Sequence, residues 1–143
     1  MRKIALSALI IAVFLFASCA TKVSDDSFSK IYDKHSGLIV AGATKYTVKS
    51  GDTLANIARN AYGGVETPAF YYPVIMLASK NTILDPDKIQ PGMELTIPNL
   101  QVNLANPEGR SAVKGVILDL SNVERSRKRT ETADGMRKLA NSL

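Results

Sequence analysis

The stretch YTVKSGDTLANIARNAYGG, residues 46–64, decides how this 143-residue chain is read. Tyr46 and Val48 alternate with Thr47 and Lys49, the two-residue period of a half-buried strand. Ser50-Gly51-Asp52-Thr53 breaks that run. Gly51 supplies a sharp turn, and Asp52 or Thr53 is a good helix N-cap whose side-chain oxygen takes an orphan backbone N–H. Leu54, Ile57, Ala58 and Ala61 then recur at three- and four-residue intervals, so the short helix has one apolar face. Tyr62-Gly63-Gly64 closes it, with a glycine expected in the left-handed conformation.

Further on, Thr67-Pro68 resembles a helix start. Pro73 is tolerated only where its missing N–H would be unpaired anyway, in a first turn. The regular second helix is therefore expected near Phe70 or later, with Tyr72, Ile75 and Ala78 on its inner face. Gln90-Pro91-Gly92-Met93 fits a type II turn, and Leu95 and Ile97 alternate with Glu94 and Thr96 as a second strand stopped by Pro98. The order is strand, helix, helix, strand. In a unit this small the two strands must pair with each other, with both helices on one face.

The segments YTVKSGDTLANIA, YPVIMLASKN and LDPDKIQPGMELTIP resemble the LysM domain (lysin motif) over residues 46–98. The resemblance implies an α+β fold, a two-stranded antiparallel sheet with two helices on one face, and no cofactor. It also implies non-catalytic binding of glycans that contain N-acetylglucosamine, mainly peptidoglycan and chitin. On the matching positions, the glycan would lie in a shallow groove. Ser50, Gly51, Asp52, Thr53 and Leu54 form one side, and Asn81, Thr82, Ile83 and Leu84 the other. Amide-bearing sugars need backbone N–H and C=O groups at fixed positions and a small apolar floor for acetyl methyls. Gly51 keeps the backbone accessible, Asp52 and Thr53 add polar contacts, and Leu54 adds an apolar edge, while the same residues serve turn and cap. Ser79 stands where many LysM domains carry asparagine, so the hydrogen bonding at that helix end is expected to differ.

The start of the chain has another character. Met1-Arg2-Lys3 precedes IALSALIIAVFLFA, an uncharged run over residues 4–17. It falls short of the roughly 20 residues that span a bilayer and reads as a secretory signal. LFASC, residues 15–19, resembles the lipobox of bacterial lipoproteins, with Phe16 in place of the more usual leucine. That resemblance implies removal of residues 1–18 and acylation of Cys19, the only cysteine, as the new N-terminus. Two acyl chains already give stable anchoring, so the protein would be held at a membrane of the cell envelope, inner or outer. Residues 19–44 are expected to form a tether. Phe28, Ile31 and Tyr32 have one turn of helical spacing, but the segment is too short to hold a helix alone, and His35 lies in it without a partner.

Charge is uneven. Loss of Arg2 and Lys3 takes the formal charge from +5 to +3; residues 45–98 carry five basic and five acidic residues, and residues 101–143 carry eight and five. The excess therefore sits in the tail. There, Asn106-Pro107-Glu108 reads as cap, first position and acidic first turn. Ala112, Val113, Val116, Ile117, Leu120 and Val123 form one apolar stripe, and Ala133, Met136, Leu139, Ala140 and Leu143 a second. Residues 105–143 are thus expected to form a helical hairpin that buries its stripes against residues 45–99 or, through residues 107–143, against a protein partner. Acidic substitutions at Ile117 and Leu120 should then fray the tail and leave the 45–99 unit folded.

Other chemistry finds little support. One histidine and one cysteine compose no Ser-His-Asp or Cys-His arrangement. Asp85 and Asp87 fall short of the six to eight oxygens of a calcium site. Arg125, Arg127, Lys128 and Arg129 sit at a helix end, where cations are favoured, although they could also attract anionic lipid headgroups. Nucleic acid does not suit an exported protein. The sequence thus points to a non-catalytic, peptidoglycan-binding lipoprotein linking a membrane to the wall. The alternative is an envelope scaffold in which the LysM fold is only structural.

Overall fold

The structure is a computed structural model that describes residues 25–143; the expected signal peptide over residues 1–18 and Cys19 lie outside the described residues. β1 (Thr44–Thr47) and β2 (Glu94–Ile97) pair antiparallel, with Thr44 opposite Ile97 and Thr47 opposite Glu94. Val48 continues the ladder, donating to the Met93 carbonyl at 2.9 Å and accepting from the Gly92 N–H at 2.8 Å. Gly92 turns the chain into β2 with φ +92°, a conformation that favours glycine, and the Met93 N–H donates to the Gln90 carbonyl at 3.2 Å.

Between the strands, α2 (Leu54–Ala61) is capped by Thr53, whose hydroxyl accepts from the Asn56 N–H at 3.2 Å. Thr53, rather than Asp52, is therefore the cap. The helix ends on Tyr62 without a left-handed glycine; Thr67, at φ 51°, takes that conformation instead. A 3-10 turn (Pro68–Tyr71) runs into α3 (Tyr72–Ala78), with Pro73 in the first turn as the sequence requires. Ser79 ties the end of α3 to β2. Its hydroxyl oxygen accepts from the Thr96 N–H at 2.8 Å and lies 3.4 Å from the Thr96 carbonyl oxygen.

A six-residue helix that the sequence reading missed, α4 (Leu100–Ala105), starts directly after Asn99, whose side chain caps it. Asn106 caps α5 (Pro107–Ser126) by accepting from the Gly109 N–H at 2.9 Å. α6 (Thr130–Ser142) returns along α5, so that Arg125 meets Asp134 and Arg137 meets Asn122. Those two cross-pairs define an antiparallel hairpin.

One hydrophobic core runs through the described residues. Six consecutive residues of α3, Tyr72 to Leu77, are buried, because β2 contacts this helix from one side and α5 from another. The helix thus has no single inner face, and Ala78 is only half-buried. The hairpin supplies Val113, Val116, Ile117, Leu120 and Met136, all without exposed surface. Its stripes are consumed inside the chain, which removes the expected reason for residues 107–143 to seek a partner.

The expected tether does not hold from Asp25 onward. α1 (Asp25–Asp33) puts Phe28, Ile31 and Tyr32 into the common core. Nine residues make a marginal helix in water, but tertiary burial of one face supplies what local propensity lacks. Beyond α1, His35 Nε2 lies 3.0 Å from Asp119 Oδ2 on α5. Its ring lies over Gly115, where a Cβ would come within 2.4 Å of it. Asn103 then holds Ile39 from both sides, accepting from its N–H at 2.8 Å and donating to its carbonyl at 2.9 Å. The lone histidine therefore has a carboxylate partner, and the segment is a strap across the helices. No described helix is long and apolar enough to cross a membrane.

Candidate functional site

The turn before α2 is held from within. Asp52 Oδ2 accepts from the Tyr46 hydroxyl and from the Lys49 N–H, both at 2.8 Å. The Lys49 N–H first, and the Tyr46 hydroxyl second, hold the Asp52 carboxyl below its usual range. Gly51 stands at φ +86° with open space where a Cβ would be, so its role is backbone conformation and access. Ser50, Gly51 and Thr53 are exposed and Asp52 is half-buried. Leu54 is only 3% exposed, so it backs the turn from the core and offers no apolar edge.

The loop after α3 is closed by the Ser79 carbonyl, which accepts from the N–H groups of Thr82 and Ile83 at 2.8 Å each. Asn81 and Thr82 face solvent, and Leu84 is 44% exposed. Ile83 is 2% exposed, and its carbonyl accepts from the Tyr32 hydroxyl of α1 at 3.1 Å. Thus α1 occupies a backbone acceptor that the sequence assigned to the groove. Burial pushes the Tyr32 hydroxyl pKa up, and the nearby Asp85 adds to the shift, so the phenol stays a donor.

The cavities divide the expected residues. Thr53 and Leu54 line one of about 200 Å³ with Ala55, Tyr72, Pro86, Asp87, Glu124, Arg129 and Thr132. Asn81 lines another of about 240 Å³ on the side of α1, with Tyr32, His35 and Leu38. The first brings the hairpin up against the LysM-like turn, a juxtaposition that nothing in the local sequence announced.

A charged clasp joins the two halves there. Arg127 donates to Asp85 at 3.0 Å and to Asp87 at 2.9 Å. Arg129 donates to Asp87 at 2.6 Å and 3.0 Å and to Glu124 at 3.2 Å. Glu124 is buried and also accepts from the Tyr72 hydroxyl at 2.9 Å. The hydrogen bond from Arg129 holds the Asp87 carboxyl below its ordinary value. Arg125 pairs with Asp134. Three of the four cations read as a possible lipid-headgroup patch are therefore already engaged. Among the described residues, no group of three or more His, Cys, Asp or Glu side chains is placed to hold a metal ion.

A two-stranded antiparallel sheet with capped helices and exposed polar loops defines a small α+β unit. Residues 46–98 match the LysM domain family, and this part of the chain is a LysM domain, a binding module that itself carries no catalysis. LysM domains bind peptidoglycan and related N-acetylglucosamine polymers. Over 53 residues the chain is 49% identical to the potassium binding protein Kbp of Escherichia coli O6:H1, covering 37% of this chain and 33% of that one. Over 57 residues it is 47% identical to an uncharacterized protein of Deinococcus radiodurans, covering 40% of this chain and 20% of the other. The chain thus spans a third or less of these curated relatives. No solved structure matches it.

Proposed function

We propose that the protein is a non-catalytic, envelope-located glycan binder. Its LysM loops would hold peptidoglycan, and acylated Cys19 would hold the chain at a membrane. The observation that supports the glycan reading best is Leu84, which stands 44% exposed beside the solvent-facing Asn81 and Thr82 of a LysM loop. An apolar side chain in water beside polar groups suits an acetyl methyl. Direct contacts then fall to Ser50, Gly51, Asp52, Thr53, Asn81, Thr82 and Leu84, while Leu54 and Ile83 only support them. Little apolar area is available, so a single site should bind in the micromolar to millimolar range, roughly −8 to −4 kcal/mol.

Titration of residues 20–143 with chito-oligosaccharides and muropeptides, followed by amide shifts, tests the reading. Shifts should appear in both loops, and Leu84→Ala should weaken binding by about 1 kcal/mol, roughly fivefold, with the fold intact. No shifts at millimolar ligand, or shifts away from both loops, would remove the glycan function.

The lipid attachment is tested in cells. A fatty-acid label should be lost in Cys19→Ser, and equal label on both proteins would refute the anchor. The scaffold alternative finds less support, since α3 and the rest of the core already cover the hairpin stripes. Nor is the potassium binding in the relative's name carried over: Asp85, Asp87 and Glu124 are all paired with arginines.

A further inference from the structure

The cavity between the LysM turn and the hairpin has the chemistry of a carbohydrate subsite. Its lining includes the exposed Thr53 and the half-buried Thr132, with the half-buried Ala55 and Pro86 as apolar surface and Leu54 backing them from the core. Its charged walls are rigid, because Glu124 is fixed by Tyr72 and Arg129, and Asp87 by Arg129. Two carboxylates against one guanidinium leave the lining at a net −1, which disfavours an anionic ligand. At about 200 Å³ it lies below the roughly 300 Å³ of the smallest drug-sized pockets, a space for one ring and not for a chain. Thr53 belongs both to this cavity and to the LysM turn, so a ring seated here would continue a glycan lying along that turn.

We propose that this cavity seats one further uncharged sugar ring of the bound glycan, so that the C-terminal hairpin is part of the carbohydrate site and sets its preferred chain length. The proposal rests on the glycan-binding reading above. On this view Thr132 and the Arg129 guanidinium edge contact the extra ring from the hairpin side. The Glu124–Arg129–Tyr72 network positions that edge.

The test uses residues 20–143, which keep the whole described core, and uncharged N-acetylglucosamine oligomers of increasing length. Affinity should rise in one step of about five- to tenfold at a single added ring. Amide shifts at Thr132 and its neighbours should appear only from that length on. Thr132→Phe, which fills the cavity from its rim, should abolish the step and the hairpin shifts while leaving the affinity for shorter oligomers unchanged. Thr132→Val, which keeps the volume and removes the hydroxyl, should lower the step partly and guards against a folding defect in the larger variant. A step of equal size in both variants, or hairpin amides silent at every length while the LysM loops respond, would overturn the subsite and leave the glycan reading standing. Silence of the LysM loops as well would overturn both.

Discussion

Replacing Ile117 with alanine should destabilise the whole folded chain by about 2–5 kcal/mol, the range for removing a large buried aliphatic side chain. Ile117 has no exposed surface and belongs to the core that also holds Val74, Ile75 and Met76 of the LysM domain. Against a typical total of about 5–15 kcal/mol, that loss is large, and Ile117→Asp adds the desolvation of a carboxylate. The sequence alone suggested that acidic substitutions at Ile117 and Leu120 would fray the tail and spare the LysM unit. The structure reverses this expectation. α3 lies between β2 and α5, so loss of the hairpin strips one side of a LysM helix. Denaturant unfolding should show one transition, and amide-exchange protection should fall in α3 together with α5. Two separate transitions, with α3 still protected, would contradict a shared core.

Arg127→Ala should cost about 3–5 kcal/mol, as expected when one partner of a buried ion pair is removed and the other is left uncompensated. The Arg127 side chain is 15% exposed and that of Asp85 is 9% exposed, with 3.0 Å between guanidinium nitrogen and carboxylate oxygen. Arg127 also lies over the Phe28 ring, 5.4 Å from its centroid, and so joins α1, the LysM loop and the hairpin at one point. Arg127→Lys should recover only part of the loss, because an ammonium cannot reproduce the planar fork shared by Asp85 and Asp87. A double-mutant cycle with Asp85→Ala measures the coupling, and a coupling near zero would reduce the pair to a surface contact.

Acid should weaken the same clasp. Asp87 titrates below its ordinary 3.8 in the folded chain, chiefly through the hydrogen bond from Arg129. Its contribution is therefore complete above the unfolded value and is lost as pH falls through the lower, folded one. Arg129→Gln should flatten that acid limb in a stability profile. The contribution is modest, since the Asp87 side chain is 48% exposed and screened by water.

What was legible in the sequence was local. The Thr53 cap, Pro73 in a first turn and the Pro91-Gly92 turn each act through backbone groups a few residues away, and together they order strand, helix, helix, strand. The two tail stripes were equally plain from helical spacing. α1 was not, because the groups that bury and bond it, on α5, at Ile83 and at Arg127, lie far along the chain. The clasp joins residues about 40 positions apart, so Asp85 and Asp87 could be weighed only as a poor calcium site and the arginines only as a helix end. The site was partly legible. The motif placed polar residues at exposed loop positions, yet Leu54 also belonged to the apolar stripe of α2, and that periodicity had already assigned it to the interior.

The docking of α1 changes how far the protein can reach. A flexible tether over residues 19–44 would have let the binding module wander and tumble at its root. With α1 fixed from Asp25, six peptide units separate Cys19 from the folded body, at most about 20–22 Å when fully drawn out. A lipid at Cys19 would then act as a short leash. Under the proposed anchor, the start of α1 would stay within that distance of the acylated residue.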